Sequence, residues 1–381
     1  MDFKKITWGL CASLTICGGF SSCSDNDEPK IDDNGSKIEL PASRVFILNE
    51  GSIGQNNANI SLFDPDSKTI IEDVFYEQNE MRLGDVAQDM IEYNDYIYVS
   101  VYKSNYIARL NAAGVEQQRV SFASDPDLQG GVRYLAAEDG YLYASFHGGV
   151  VAKINATSLR VEKKITGLGA NLEGVAIENH MLYVANAYEQ TFDPETDKNV
   201  FNYLTDLRVI DLSKFELSET LTVAANPNQV LAEDGKIFLI SWGNYNDQGY
   251  EFQMIDPKQN NKVTSLGVAS KMGVGNDKVY LVYALTDWTT RVTTNTFSYY
   301  DIKAGKMVNS SFINDPLKQL ENASIFSIGV NDENGDIYIG LTNYTTSNGS
   351  FFRFKKDGSM LYDFANCGGQ NPSKFVFIDA D

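Results

Sequence analysis

Between Leu83 and Leu110 the apolar residues alternate with polar ones instead of recurring every third or fourth position: Val86 and Met90, then Ile97, Val99 and Val101, then Ile107 and Leu110. Such alternation marks half-buried β-strands. Asn94-Asp95 separates the first two runs, and both residue types tolerate the positive φ of a tight hairpin turn. The stretch is therefore expected to form an inner strand, a turn, a second strand, a loop and a third strand.

The pattern returns along the chain. A turn pair followed by an apolar-aromatic-apolar triplet occurs as Asp139-Gly140 before Leu142-Tyr143-Ala144 and as Asn179-His180 before Leu182-Tyr183-Val184. It follows again as Asp234-Gly235 before Ile237-Phe238-Leu239, Asn276-Asp277 before Val279-Tyr280-Leu281, and Asn334-Gly335 before Ile337-Tyr338-Ile339. The spacing of roughly 40 to 58 residues is near that of four-stranded propeller blades and longer than solenoid repeats of about 20 to 35. One such unit cannot bury both faces of its sheet, so the six must pack on one another, and a ring satisfies all of them.

The ends supply a seventh unit. Arg44-Val45-Phe46-Ile47-Leu48 resembles a second strand with no first strand before it, and Ser373 to Ile378 resembles an inner strand with no second strand after it. Joined, they complete one blade and seal the ring, removing its exposed edges. The expected fold is all-β: a seven-bladed β-propeller of four-stranded blades, closed by pairing the C-terminal inner strand with the N-terminal strands. An open β-sandwich or two separate β domains would leave the complementary half-units unexplained.

Residues 1–22 read as a secretion signal: Lys4 and Lys5, an apolar run from Ile6 to Phe20, then small residues. The run is too short for a spanning helix. Phe20-Ser21-Ser22-Cys23 resembles a bacterial lipoprotein box, with Phe20 where Leu is usual, and implies lipidation at Cys23; a plain secretory signal is the alternative. Residues 23–40, which include Ser24-Asp25-Asn26-Asp27-Glu28-Pro29, are acidic and poor in apolar residues, the composition of a flexible tether. The propeller is assigned to residues 41–381. The tether resembles the export signal of surface lipoproteins in gut Bacteroidota, which implies an outer-membrane, lipid-anchored protein facing the exterior; a periplasm-facing lipoprotein is the alternative.

Of the four cysteines, Cys11 and Cys17 leave with the signal and Cys23 is acylated, so Cys367 stands alone and no disulfide is expected. The formal charge is -20; the leader carries Asp2, Lys4 and Lys5, so the mature chain is near -21. A field of that sign repels phosphate backbones and argues against nucleic acid as a partner.

In a propeller, the loops joining second to third strands and the segments leading into the inner strands share one face around the channel. The loops offer Asn49, Glu50, Tyr102, Phe146, His147, Tyr188, Trp242, Tyr245, Trp288, Asn343 and Tyr344 as candidate ligand contacts. The lead-ins offer Asp85, Gln88, Arg133, Glu173 and Gln229; Lys271, Phe326 and Asn371 also lie there but are not among the candidates. Amides and aromatics converging on a concavity suit a large, flat, amide-bearing ligand better than a small anion. The triplet residues Tyr98, Tyr143, Tyr183, Tyr280 and Tyr338 are instead expected to pack between blades. Two insertions, Asn186 to Asp206 and Tyr283 to Phe297, are expected as long loops, a length often functional.

Catalytic constellations are scarce. The chain has no nucleophile elbow and no metal-binding histidine pair, and its only histidines are His147 and His180. His180 sits in a turn and is expected to be structural. His147 lies in a face loop beside Gly148-Gly149 and is either a ligand contact or a surface residue. Asp193 to Asn199 alternates oxygen donors like the start of a calcium loop but lacks the central Gly and closing Glu, so no metal is expected.

The units DMIEYNDYIYVSVYKSNYIARLN and GVAIENHMLYVANA, with the lipobox, resemble the YncE-like seven-bladed propeller lipoproteins of Bacteroidota over residues 44–381. Within them the likeness is to the BtuG-type surface cobalamin-binding lipoproteins. That resemblance implies a non-enzymatic protein that binds vitamin B12 and other corrinoids, with the corrinoid as transported ligand and no catalytic cofactor. It also implies a TonB-dependent outer-membrane cobalamin transporter of the BtuB-like kind as partner. Two alternatives remain: an adhesion or surface-layer propeller binding protein or glycan, and a propeller lactonase or hydrolase using Asp85, Glu173 and Glu50 around a channel metal.

Overall fold

The computed structural model describes residues 31–287, 289–364 and 366–379; the leader, Cys23 and Trp288 lie outside them. The described strands form seven antiparallel sheets of four strands each. Six run in sequence order, and we number them blades 1 to 6 from Ala87. The seventh pairs the C-terminal strand Pro372–Ile378 with Arg44–Asn49, followed by Asn59–Asp64 and Thr69–Ile71. The register of this clasp aligns Val45 with Phe377 and Ile47 with Phe375. The circular closure expected from the half-units is therefore present.

Alternation explains the hairpins. In blades 1 to 5 two residues separate the first and second strands, and the left-handed backbone predicted for them is found at Asn94-Asp95, Asp139-Gly140, Asn179-His180, Asp234-Gly235 and Asn276-Asp277. Blade 6 departs from the rule. Its strands end at Val330 and resume at Ile337, and only Gly335 of the expected pair has positive φ. Asn331 organises this wider loop, its side-chain oxygen accepting from the backbone N–H of Glu333 at 2.8 Å.

The middle residue of each triplet holds the ring together. Tyr98 packs with the apolar residues of blade 2, Tyr143 with blade 3, Tyr183 with blade 4, Phe238 with blade 5, Tyr280 with blade 6 and Tyr338 with blade 7. Phe46 completes the series by packing against blade 1. Each of these rings is at most 2% exposed, so all seven serve as inter-blade wedges. Truncating a buried aromatic of this kind typically costs about 3–5 kcal/mol.

Two expectations are corrected. The insertions at 186–206 and 283–297 are not loops: their backbones keep pairing, making hairpin arms from Met181–Asp193 with Lys198–Asp211 and from Lys278–Asp287 with Val292–Asp301. Their polar composition concealed the strands because both faces of an arm meet solvent. At the N-terminus, the segment expected as tether through residue 40 lies against the propeller from Asp33 onward. Arg44, buried at the strand start, pairs with Asp33 at 2.7 Å, Lys37 N–H donates to Gln78, and Ile38 and Leu40 cover the apolar cluster between blades 7 and 1. His180 occupies the turn, as expected, and its exposed ring pairs with Glu138 at 3.0 Å. Among the described residues no helix is long and apolar enough to cross a membrane.

Candidate functional site

The inner strands leave a channel, and the second-to-third loops surround its mouth. A cavity of about 510 Å³ runs among the inner strands, lined by Glu50, Gln88, Asp89, Arg133, Lys271 and Lys374 among others. Above it a basin of about 810 Å³ shares Glu50, Gln88, Arg133 and Phe326 with the cavity and adds Tyr102 and Tyr344. Lead-ins and loops thus meet on one face, as the repeat requires.

One wall of the basin is a locked network contributed by blades 1 to 3. Arg133 donates from Nε and Nη2 to Glu173 Oε2 at 3.0 and 2.6 Å, and from Nη1 to Gln88 Oε1. Gln88 in turn donates to the Tyr134 hydroxyl at 3.0 Å. The other carboxylate oxygen of Glu173 meets His147 Nε2 at 3.0 Å, while His147 Nδ1 meets the Tyr102 hydroxyl at 3.1 Å. A carboxylate only accepts, so Nε2 carries the proton and Nδ1 of the neutral ring accepts from Tyr102. Burial holds His147 below its ordinary pKa despite Glu173, which keeps the ring neutral. Burial would raise the pKa of Glu173, but Arg133 and then His147 outweigh it, and the carboxyl is held low. Gly131 makes the assembly possible: with φ at +100°, its missing Cβ would lie 2.6 Å from the Tyr102 ring.

Two other charges of the channel are different. Burial raises the Glu50 carboxyl to about 7, with Arg133 and Lys271 opposing the shift, and burial lowers the Lys271 ammonium against the attraction of Glu50. Lys271 Nζ lies 4.9 Å from the centre of the Phe326 ring.

Aromatic side chains rim this face. Ring centres follow one another from Tyr102 to His147 (5.1 Å), His147 to Tyr188 (6.3 Å), Tyr188 to Tyr203 (6.4 Å) and Tyr203 to Tyr245 (5.5 Å). Phe201 stacks on Tyr203, and Tyr250 meets Tyr283 at 6.5 Å farther round. The first hairpin arm supplies Tyr188, Phe201 and Tyr203, so extending the strands raised the collar. Tyr245 and Tyr344 remain 64% and 63% exposed, both with left-handed backbone that turns them outward.

The structure distributes the candidate contacts unevenly. Glu50, Gln88, Tyr102, Arg133, Trp242 and Tyr344 line the basin or cavity, and His147, Glu173 and Tyr188 back its wall. Asn49 does not reach it: wholly buried, it donates to Asn59 and Ser61 at 2.8 and 2.9 Å and accepts from the Cys367 thiol. Phe146 is wholly buried against Phe122. Asp85 accepts the Gly54 N–H with both oxygens, and Asn343 donates to the Asn348 carbonyl, so both brace loops. Gln229 lines the cavity, but its amide is engaged by the Met272 backbone at 2.9 and 3.2 Å. Trp288 and Cys23 fall outside the described residues. Sequence reasoning passed over Lys271, Phe326, Tyr134, Asp89 and Lys374 as site residues; the available signal was a charge on an inner strand with no partner nearby in sequence.

The acids proposed for a channel metal do not converge, since Asp85 holds Gly54 and Glu173 is held by Arg133 and His147. Among the described residues the one group with ligand-like spacing is Glu138, Asp139 and His180, which lies at the blade turns away from the basin. Asp193 is occupied by the N–H of Glu195 and the hydroxyl of Thr196 at the tip of its arm.

Known proteins add the following. The chain is similar in structure to a quinonprotein alcohol dehydrogenase-like protein of Bacteroides thetaiotaomicron VPI-5482, at 14% identity and TM-score 0.58 over 87% of this chain and 78% of that one. It is also similar to the hydrazine synthase of Kuenenia stuttgartiensis, at 11% identity and TM-score 0.56 over 75% and 93% of the two chains. Apo AztD from Citrobacter koseri matches at 10% identity and TM-score 0.52 over 89% and 98%. At such identities the likeness concerns the fold alone. No curated protein matches in sequence. The family model described as a domain of unknown function, DUF5074, matches residues 44–259. With the match extending from the N-terminal strand of the clasp to the third strand of blade 4, this seven-bladed propeller belongs to the DUF5074 family.

Proposed function

We propose that the protein is a non-enzymatic capture lipoprotein, anchored through Cys23, that holds a corrinoid such as vitamin B12 in the basin and passes it to a TonB-dependent outer-membrane transporter. The observation that carries this reading is a wide basin lined by Tyr102, Phe326 and Tyr344, with a chain of aromatic rings continuing from Tyr102 along the same face. A corrin is a large, roughly planar ring with amides on its rim. Aromatic edges and faces can cover its apolar body, while Gln88, Tyr102 and Tyr344 offer neutral hydrogen-bonding groups to the rim. The locked wall favours binding over chemistry on its own side: His147 commits both ring nitrogens and Arg133 commits its fork, so neither is free to act as a base there.

The position of the N-terminal segment is consistent with an anchored receptor. Asn34 accepts from Asn111, which lies in the turn between the third and fourth strands of blade 1, at the end of the ring opposite the basin. A lipid tether leaving from that side presents the basin away from the membrane. Isothermal titration of the purified chain with cyanocobalamin tests the proposal: heat and retention of the red ligand at micromolar protein are expected, and neither being seen would discard it.

A second reading has its own observation. Phe192, Val200 and Phe201 are exposed on the first hairpin arm, apolar groups suited to a protein partner. Recovery of a surface protein or glycan without corrinoid would favour adhesion.

A further inference from the structure

Five charged residues line the channel cavity: Glu50, Asp89, Arg133, Lys271 and Lys374. Arg133 is paired with Glu173 at 2.6 Å and Asp89 with Lys374 at 2.9 Å. The remaining two, Glu50 and Lys271, form no side-chain hydrogen bond or ion pair among the described residues; Lys271 Nζ lies 4.9 Å from the centre of the Phe326 ring. Glu50 feels the charge of Arg133 most strongly and that of Lys271 next, and Lys271 feels that of Glu50, yet Glu50 and Lys271 form no ion pair with each other. A carboxylate and an ammonium held apart across a confined space are incompletely satisfied, and a guest that bridges them gains from both.

The bridging guest must accept from Lys271 and donate to Glu50. With Glu50 ionised, a ligand carboxylate only accepts and would face it as a like charge. An amine only donates and would face Lys271. A primary carboxamide does both within one planar unit. Above the socket the basin is rimmed by neutral aromatic groups, which suit an uncharged body carrying such an arm.

We propose that Glu50 and Lys271 form a socket for one terminal carboxamide of the bound ligand, with Lys271 Nζ donating to its carbonyl oxygen and its N–H donating to Glu50. The inference rests on the amide-bearing corrinoid reading and makes these two residues the determinants that select an amide arm over its hydrolysed acid.

The test compares the full chain with the double variant Glu50→Leu/Lys271→Met, in which apolar groups of similar size replace both charges. Thermal melting should show the variant folded and no less stable, because no partner is left unpaired. Isothermal titration with cyanocobalamin should show at least tenfold weaker binding by the variant. Among cyanocobalamin monocarboxylic acids, in which one amide is hydrolysed, one isomer should lose at least tenfold on the unmodified protein and lose nothing further on the variant. Equal binding of cyanocobalamin by both proteins would overturn the socket while leaving the corrinoid reading intact. No binding by the unmodified protein would overturn both. Saturable binding of free glycine, displaced by neither cyanocobalamin nor acetamide, would assign the pair to a zwitterion and overturn the carboxamide class.

Discussion

The two walls of the channel mouth are built from the same residue types and do different work. On the side of blades 1 to 3, Arg133, Glu173, His147, Tyr102 and Gln88 satisfy one another. Farther round the channel, Glu50 of blade 7, next to blade 1, and Lys271 of blade 5 line the cavity with no side-chain partner among the described residues. Perturbed titration alone does not separate them, since both walls carry it. What separates them is commitment: a charge already neutralised by its neighbours shapes the wall, whereas an unmatched one is available to a guest.

The largest expected effect removes the frame that both walls share. Deleting residues 372–381 takes away the inner strand of blade 7, opens the ring and exposes the edge of Arg44–Asn49. Cooperative thermal unfolding should be lost; a truncated protein with unchanged melting would refute the clasp.

Breaking the committed wall comes next. Glu173→Ala leaves Arg133 buried without its carboxylate, and loss of one member of a buried pair typically costs about 3–5 kcal/mol. Chemical denaturation at pH 7 should show a lower midpoint with an unchanged slope.

The uncommitted wall should respond with the opposite sign. Glu50 titrates near 7 when folded, against an ordinary 4.5, because burial disfavours its charge. The folded state therefore holds a proton that the unfolded state has released between those values. Stability contributed by this group declines as pH rises from about 4.5 to about 7 and stays reduced above that. Glu50→Gln should stabilise the protein by up to about 3 kcal/mol at pH 8 and by almost nothing at pH 4. Urea titrations at the two pH values check this, and an equal gain at both would rule out burial of the charge as the cause.

The smallest stability effect is expected at the collar. Tyr245→Ala removes an exposed ring and should change stability by no more than about 0.5 kcal/mol. The same change should weaken cyanocobalamin binding by about 2- to 10-fold if the ring covers the ligand. An unaltered titration isotherm would exclude Tyr245 from the contact surface.

Much of the fold was legible because alternation and turn chemistry are local. Asn179-His180 followed by Leu182-Tyr183-Val184 names a hairpin without knowledge of anything distant, and the wedge role of Tyr183 follows from its place in the repeat. Two site errors were avoidable by the same logic. Leu142, Ala144 and Phe146 share one side of their strand, and all three enter the same apolar cluster, so parity points Phe146 inward. Val45, Ile47 and Asn49 likewise share a side, and the first two enter the cluster between blades 6 and 7. The hairpin arms were missed for another reason: strands that meet water on both faces show no apolar alternation.

The amino-acid sequence by itself determined the number of blades, the closure and the face on which loops gather, because each depends on a period, a turn or a complementary end. Tertiary structure alone decided which charges are spent. Arg133 and His147 belong to blade 2, whereas Glu173 lies 40 and 26 residues further along the chain in blade 3, and only the angle between those two blades brings its carboxylate within 3.0 Å of both. Glu50 and Lys271 are left unmatched by the same geometry, since coulombic pairing depends on separation in space, which curvature of the ring sets and local sequence does not.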